Sequence, residues 1–317
     1  MNPRRHILAL LVVAMTALAC VSRGRLVKAS DSPQAELLAS MKDFERQAGF
    51  EESANFARHS SRVHVDYRCY YTGNLKLPDG YSKLKLRRGP PAGCALNEEK
   101  YDVFFYPLEA AASGHTPLTP SLGEAPGERL LVVVPHEDFH NDSRIKDWPP
   151  AIREAASTLV GFLAAAEFAK EHYGQSSEEY QRLAREPEIF LQKSELINRY
   201  AGLAAALYEA RRAGAITTSA ALEQKRGLFA RLSGECRELP DARSFNKCPG
   251  ALNNAGLAFD RTYTKHYPLL YGVYLRSGKD LKSAIAQLRP PGKKRWTEQA
   301  AISHLEALGT PVRFADP

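Results

Sequence analysis

The chain has 317 residues and a formal net charge of +7, a length that allows one large domain or two closely packed ones. The basic excess is spread over residues 83–88, Arg211-Arg212 and Lys293-Lys294-Arg295, and no aromatic-interleaved nucleic-acid module accompanies it. Nucleic acid is therefore not expected as a partner. Attraction to an anionic envelope surface and a merely solvated face both remain open readings of the charge.

Residues 1–24 read as a targeting segment. Arg4 and Arg5 precede an apolar stretch of 13 residues, 7–19, which is shorter than the roughly 20 residues of a membrane span. Ala17-Leu18-Ala19 fits an Ala-x-Ala cleavage site. Cys20 follows directly, so the segment also reads as a bacterial lipoprotein signal, whose lipid would tie the mature chain to a membrane. A simple secreted protein is the alternative. Export implies an oxidising periplasmic or envelope compartment. Beyond Cys20 stand Cys69, Cys94, Cys236 and Cys248, and the pairs Cys69–Cys94 and Cys236–Cys248 are expected because each closes one modest loop.

Further along, residues 31–58 read as helix from the spacing of Leu37, Leu38, Met41, Phe44 and Ala48. Val63, Val65, Tyr67, Cys69 and Tyr71 alternate as one face of a strand, with further strands over 84–88 and 103–106. Residues 89–91 and 114–127 are loops rich in turn formers. From Pro150 onward the pattern is helical: 150–168, 176–213 with a break or kink at Pro187, 219–239, 252–276, 279–288 and 297–308. The expected architecture is α+β, predominantly helical, with a small sheet in the N-terminal half and a helical C-terminal half.

Between the two halves lies His136-Glu137-Asp138-Phe139-His140, an HExxH pattern. Residues four apart share a helix face, so both histidines can grip one metal ion. Glu137 then stands where it can take a proton from a metal-bound water. The run of residues 129–134 is β-branched and apolar after Arg129, and it predicts a buried strand leading into the motif, with Pro135 opening the helix. A catalytic zinc site needs a third protein ligand. Glu154, near the start of the next helix, is the first choice, because a helix holds a ligand more rigidly than a loop. Asp142 and Asp147 are the alternatives.

HExxH followed by a loop and a helix reading Glu-Ala-x-x-Thr-Leu-Val-Gly resembles the gluzincin metallopeptidases. More narrowly, the chain is similar to an aminopeptidase-type family of bacterial envelope proteins, through Asn253-Asn254-Ala255-Gly256-Leu257, Tyr263 and Ser277-Gly278-Lys279-Asp280-Leu281. The resemblance spans roughly residues 60–290, and its two short blocks carry the specificity. It implies a zincin-like domain over residues 25–317, with a sheet-containing part near 60–148 and a helical part near 149–310. It also implies zinc as cofactor and a peptide or protein as substrate. A donor for the oxyanion of the reaction is expected from Tyr263 or His266, close together in the sequence. A non-catalytic envelope lipoprotein with a structural or vestigial metal site is the second function class, and the intact Glu137 argues against it.

Overall fold

A computed structural model describes residues 26–28, 34–60, 66–89, 93–108, 115–240, 244–250, 252–292 and 294–308. The expected leader over residues 1–24 and Cys20 lie outside the described residues. The fold is mostly helical, with a small sheet in the N-terminal half and helices through the C-terminal half.

Strand β1 (Leu26–Lys28) pairs antiparallel with β2 (Arg58–Ser60), and α1 (Ala35–Ala48) lies between them in sequence. A left-handed Gly49 stops α1, at φ 90°, a conformation without penalty only for glycine. The main sheet has the order β4-β3-β5, all antiparallel: β3 (Asp66–Gly73) in the middle, β4 (Lys85–Arg88) and β5 (Tyr101–Leu108) at its edges. Tyr67, Cys69 and Tyr71 share one face of β3. The other face, Tyr70 on β3 opposite Phe104 on β5, packs on Ala255, Ala258 and Phe259. Cys69 is nevertheless buried, because its disulfide to Cys94 covers it. Val63 and Val65 lie outside the described residues.

After the short α2 (Pro120–Gly123) comes α3 (Gly127–Phe139), which carries the HExxH motif. Here the structure corrects the sequence reading. Residues 129–134 are helix, not strand, and Pro135 lies inside that helix rather than at its start. The physical reason is total burial. Leu130, Leu131, Val132, Val133 and Val134 are all buried, so no polar face marks a helical period. Burying each such side chain is worth about 1.5–3 kcal/mol, against helix-propensity penalties of under ~1 kcal/mol for valine.

The centre of the molecule is α4 (Pro150–Tyr173), with proline at its first position as the sequence predicts. Its Ile152, Ala155, Ala156, Leu159, Val160, Phe162, Ala164 and Ala165 are buried, and α1 and α3 pack against it. Helices α5 (Glu178–Leu183) and α6 (Glu186–Arg212) follow, with the break falling just before Pro187 as predicted. Next come α7 (Thr218–Arg237), α8 (Asn254–Thr264), α9 (Tyr267–Arg276), α10 (Leu281–Leu288) and α11 (Glu298–Leu308). The single helix expected over 252–276 is thus two, α8 and α9, separated at Lys265-His266. Both expected disulfides, Cys69–Cys94 and Cys236–Cys248, are present. They fit an oxidising, exported environment. Among the described residues no helix is long and apolar enough to cross a membrane.

Candidate metal centre

The motif occupies the last turn of α3, and the first turn of α4 comes back beside it after a short loop. His136 Nε2 and His140 Nε2 lie 3.2 Å apart. Glu154 Oε2 is 3.0 Å from His140 Nε2 and 3.9 Å from His136 Nε2. Donors about 2.0–2.1 Å from one tetrahedral zinc would sit roughly 3.3–3.5 Å apart, so this spacing fits a shared metal ion. The three ligand atoms all lie within 4.8 Å of one another. The site is sheltered, with side-chain exposures of 7%, 8% and 12% for His136, His140 and Glu154.

The electrostatics suit ligands. Burial first, and then the charge of His140, push His136 down to about 3, so its imidazole is neutral and its lone pair free at physiological pH. Burial alone would raise Glu154, but the charge and hydrogen bond of His140, then His136 and Arg153, outweigh it and hold the carboxylate ionised. Burial raises Glu137 to about 7, with His140 opposing and Glu154 and Asp138 adding. A carboxyl near neutrality is suited to exchange protons.

Close helix packing makes this convergence possible. A Cβ on Gly161 would meet Val132 O at 2.8 Å and His136 Cβ at 3.1 Å. Only glycine lets α4 lie this near the motif. On the ligand's other side, the ring of Phe245 stacks on His136 with centroids 6.0 Å apart and planes 19° from parallel. Buried Lys193 donates to Phe245 O at 2.7 Å and to Asp260 Oδ1 at 2.9 Å, fixing that loop.

Asp138, in the middle of the motif, faces away from the ligands. It pairs with Lys42, accepts from Ser53 Oγ at 2.8 Å and from Asn55 Nδ2 at 3.1 Å. Asn55 and Asn141 both donate to the Glu137 carbonyl, at 3.3 and 2.8 Å. These bonds satisfy a carbonyl that the helix end leaves without an intrahelical partner. Asp138 is thus an anchor of the motif to α1 and the 50–57 loop.

The structure brings together His136, Glu137, His140 and Glu154. It sets aside the two alternative ligands. Asp142 is buried against Arg289, Oδ2 to Nε 2.5 Å, and Asp147 ends a 3-10 turn whose carbonyl accepts from Trp296 N. Tyr263 comes to the site: burial first, then the charges of Glu154, Tyr106, Tyr81 and Glu137, raise its phenol well above the ordinary value, so it stays a hydrogen-bond donor. His266 does not join it. Its Nε2 lies 2.8 Å from Glu298 Oε1 at the start of α11, and the expectation of His266 as an oxyanion donor is corrected accordingly. Asn253 and Asn254 are structural. Asn253 caps α8 through Ala255 N and Gly256 N, while Asn254 accepts from Tyr208 OH at 2.6 Å and donates to Asn74 O.

Tyr81 escaped the sequence reading. It lies in the 3-10 turn Tyr81–Lys83 between β3 and β4, and its hydroxyl approaches Glu154 Oε1 at 3.5 Å. Its backbone N–H donates to Thr262 Oγ1 on α8. Burial, with Glu154 adding, raises its phenol to about 12. The only local signal was the preceding Pro78-Asp79-Gly80 turn, which says nothing of a metal site.

No family model, no curated protein and no solved structure matches the chain.

Proposed function

We propose that the protein is a zinc-dependent hydrolase of peptide bonds in the bacterial cell envelope. The observation that carries this reading is the convergence of His136, His140 and Glu154 around one point, with Glu137 beside them. Two imidazoles and a carboxylate are the donor set of catalytic zinc, with a fourth position left open. When bound, the metal would supply Lewis acidity, polarising a carbonyl and acidifying water.

Glu137 accepts a proton from the attacking water. The water oxygen bonds to the carbonyl carbon, the carbon–nitrogen bond breaks, and Glu137 returns the proton to the leaving amine. Tyr263 donates to the oxygen of the tetrahedral intermediate, a role that its retained proton supports. Buried His136, held flat by Phe245, and Glu154, contacted by Tyr81, need little reorganisation to hold the cation. The resemblance to envelope aminopeptidases, the reading of residues 1–24 as a leader and the two disulfides support the compartment.

The test is metal analysis of the purified protein, before and after chelation, alongside turnover of a peptide mixture read by mass spectrometry. About one zinc per chain and chelator-sensitive cleavage are expected. Stoichiometric metal without cleavage would favour the vestigial-site reading, and no metal would remove both.

A further inference from the structure

Helix α1 and the residues 50–57 that follow it border a cavity of about 550 Å³. Small-molecule sites run from about 300 to 1,000 Å³ and are lined mainly by apolar side chains with a few polar groups. This cavity has that make-up. Leu38, Phe50 and Phe56 are buried in its walls, and Ala35, Ala39 and Ala57 complete the apolar lining. Lys42, Ser53 and Asn55, the three side chains that hold Asp138 of the motif, line it as well.

The polar part of the wall is short of one positive charge. Glu45 lines the cavity and is 4% exposed, and Asp138 behind it is 2% exposed. These two buried carboxyls share a single ammonium. Lys42 pairs with Asp138, and its Nζ stays 3.7 Å from Glu45 Oε2. Glu45 Oε1 is buried and has no hydrogen-bond partner among the described residues. Ser53 and Asn55 bring no charge, and the exposed Arg46 is paired with Asp43. Glu51 is bound by Ser143 N and Oγ, while Glu36 and Glu52 add negative charge from exposed positions of the lining. A buried carboxylate is costly unless a cation or a donor matches it. Burial first, and then Asp138, hold the Glu45 carboxyl well above the usual range against Lys42, which agrees with this deficit.

We propose that the cavity is a binding site for an organic ammonium ion carried on a compact apolar body, with Glu45 as its counter-ion. The apolar walls take the body, and the ammonium donates to the carboxyl that Lys42 leaves under-matched. Four carboxylates in the lining disfavour an anion. The site is separate from His136, His140 and Glu154 and does not rest on the hydrolase reading. Its ligand joins the cluster that ties the HExxH motif to α1.

The experiment uses 4-phenylbutylamine and its neutral counterpart 4-phenylbutanol. Binding of each to the metal-stripped full chain at pH 7 is measured by calorimetry, so that amine coordination to zinc does not enter. The amine is expected to bind at least tenfold more tightly than the alcohol. Glu45→Gln should bring that ratio to about one, with circular dichroism as in the parent. Ala39→Trp, at an exposed position of the lining, should fill the cavity and weaken both ligands at least tenfold without touching the buried cluster. Equal binding of amine and alcohol by the parent, no binding of either, or a ratio that survives Glu45→Gln would overturn the proposal. Amine binding unchanged in Ala39→Trp would place the ligand elsewhere and overturn it too.

Discussion

Gly161 and His136 touch across the α3–α4 crossing so closely that glycine has no substitute there: a Cβ would stand 3.1 Å from His136 Cβ and 2.8 Å from Val132 O. The contacted carbonyl belongs to the helix backbone and cannot swing aside. Gly161→Ala must therefore push the helices apart, at about 1–3 kcal/mol as for other overpacked cores. Because Glu154 rides on α4 and the histidines on α3, the same shift should weaken metal affinity. Thermal unfolding and zinc titration of the variant check this, and unchanged affinity with lowered stability would mean the ligands do not depend on that crossing.

Glu137→Gln is expected to keep the metal and lose turnover, by about 10²–10⁴-fold for a lost general base. The amide preserves the size of the side chain but cannot take a proton from water. His140→Ala is expected to lose both, since it leaves two protein ligands. Metal content and peptide cleavage are measured side by side for both variants, and parental turnover by Glu137→Gln would refute the assigned role.

Opposite outcomes are expected at Tyr263 and His266. Tyr263→Phe removes one donor from the site and should lower turnover by about 10²–10³-fold with metal retained. His266→Ala removes the contact with Glu298, and should appear in thermal stability rather than in turnover. Kinetics and unfolding of the two variants decide the assignment; the reverse pattern would reinstate the histidine.

The two disulfides should differ in consequence. They close loops with sequence separations of 25 and 12, and loops of this size are worth about 3 kcal/mol each in the chain-entropy account. Cys236–Cys248 also brackets Phe245, which stacks on His136. Replacing that pair by serine should speed zinc release to a chelator, whereas replacing Cys69–Cys94 should lower stability alone. Equal chelator rates for the two variants would separate the Phe245 loop from the metal centre.

Glu45 gives the fold a pH dependence. Burial first, and then Asp138, raise its carboxyl well above the usual 4.5, with Lys42 opposing. The folded state therefore holds this proton more tightly than the unfolded chain does. The resulting stability is fully present below about pH 4.5 and is lost as pH rises through the folded value. Glu45→Gln has no proton to lose. Its melting temperature relative to the parent should therefore rise from pH 4 to pH 8, and a difference independent of pH would contradict the assignment.

The paired histidines of the candidate metal centre, the adjacent Glu137 and both disulfide pairs were legible in the sequence because they are set by local spacing. His136 and His140 share a face by helical period, and each cysteine pair closes its nearest loop. Glu154 was legible as a helix-borne carboxylate, but its contact with His140 depended on Gly161 letting α4 lie close to α3. The buried helix α3 was misread as a strand because a segment packed on every side carries no amphipathic period, and its valines then speak for sheet. Tyr81 and Phe245 were invisible to spacing. Tyr81 is held through Thr262, 181 residues away, and Phe245 through Lys193, 52 residues away. Long-range packing alone decides which aromatic meets a candidate ligand, because that outcome depends on where separate elements come to rest and not on the period of any one of them.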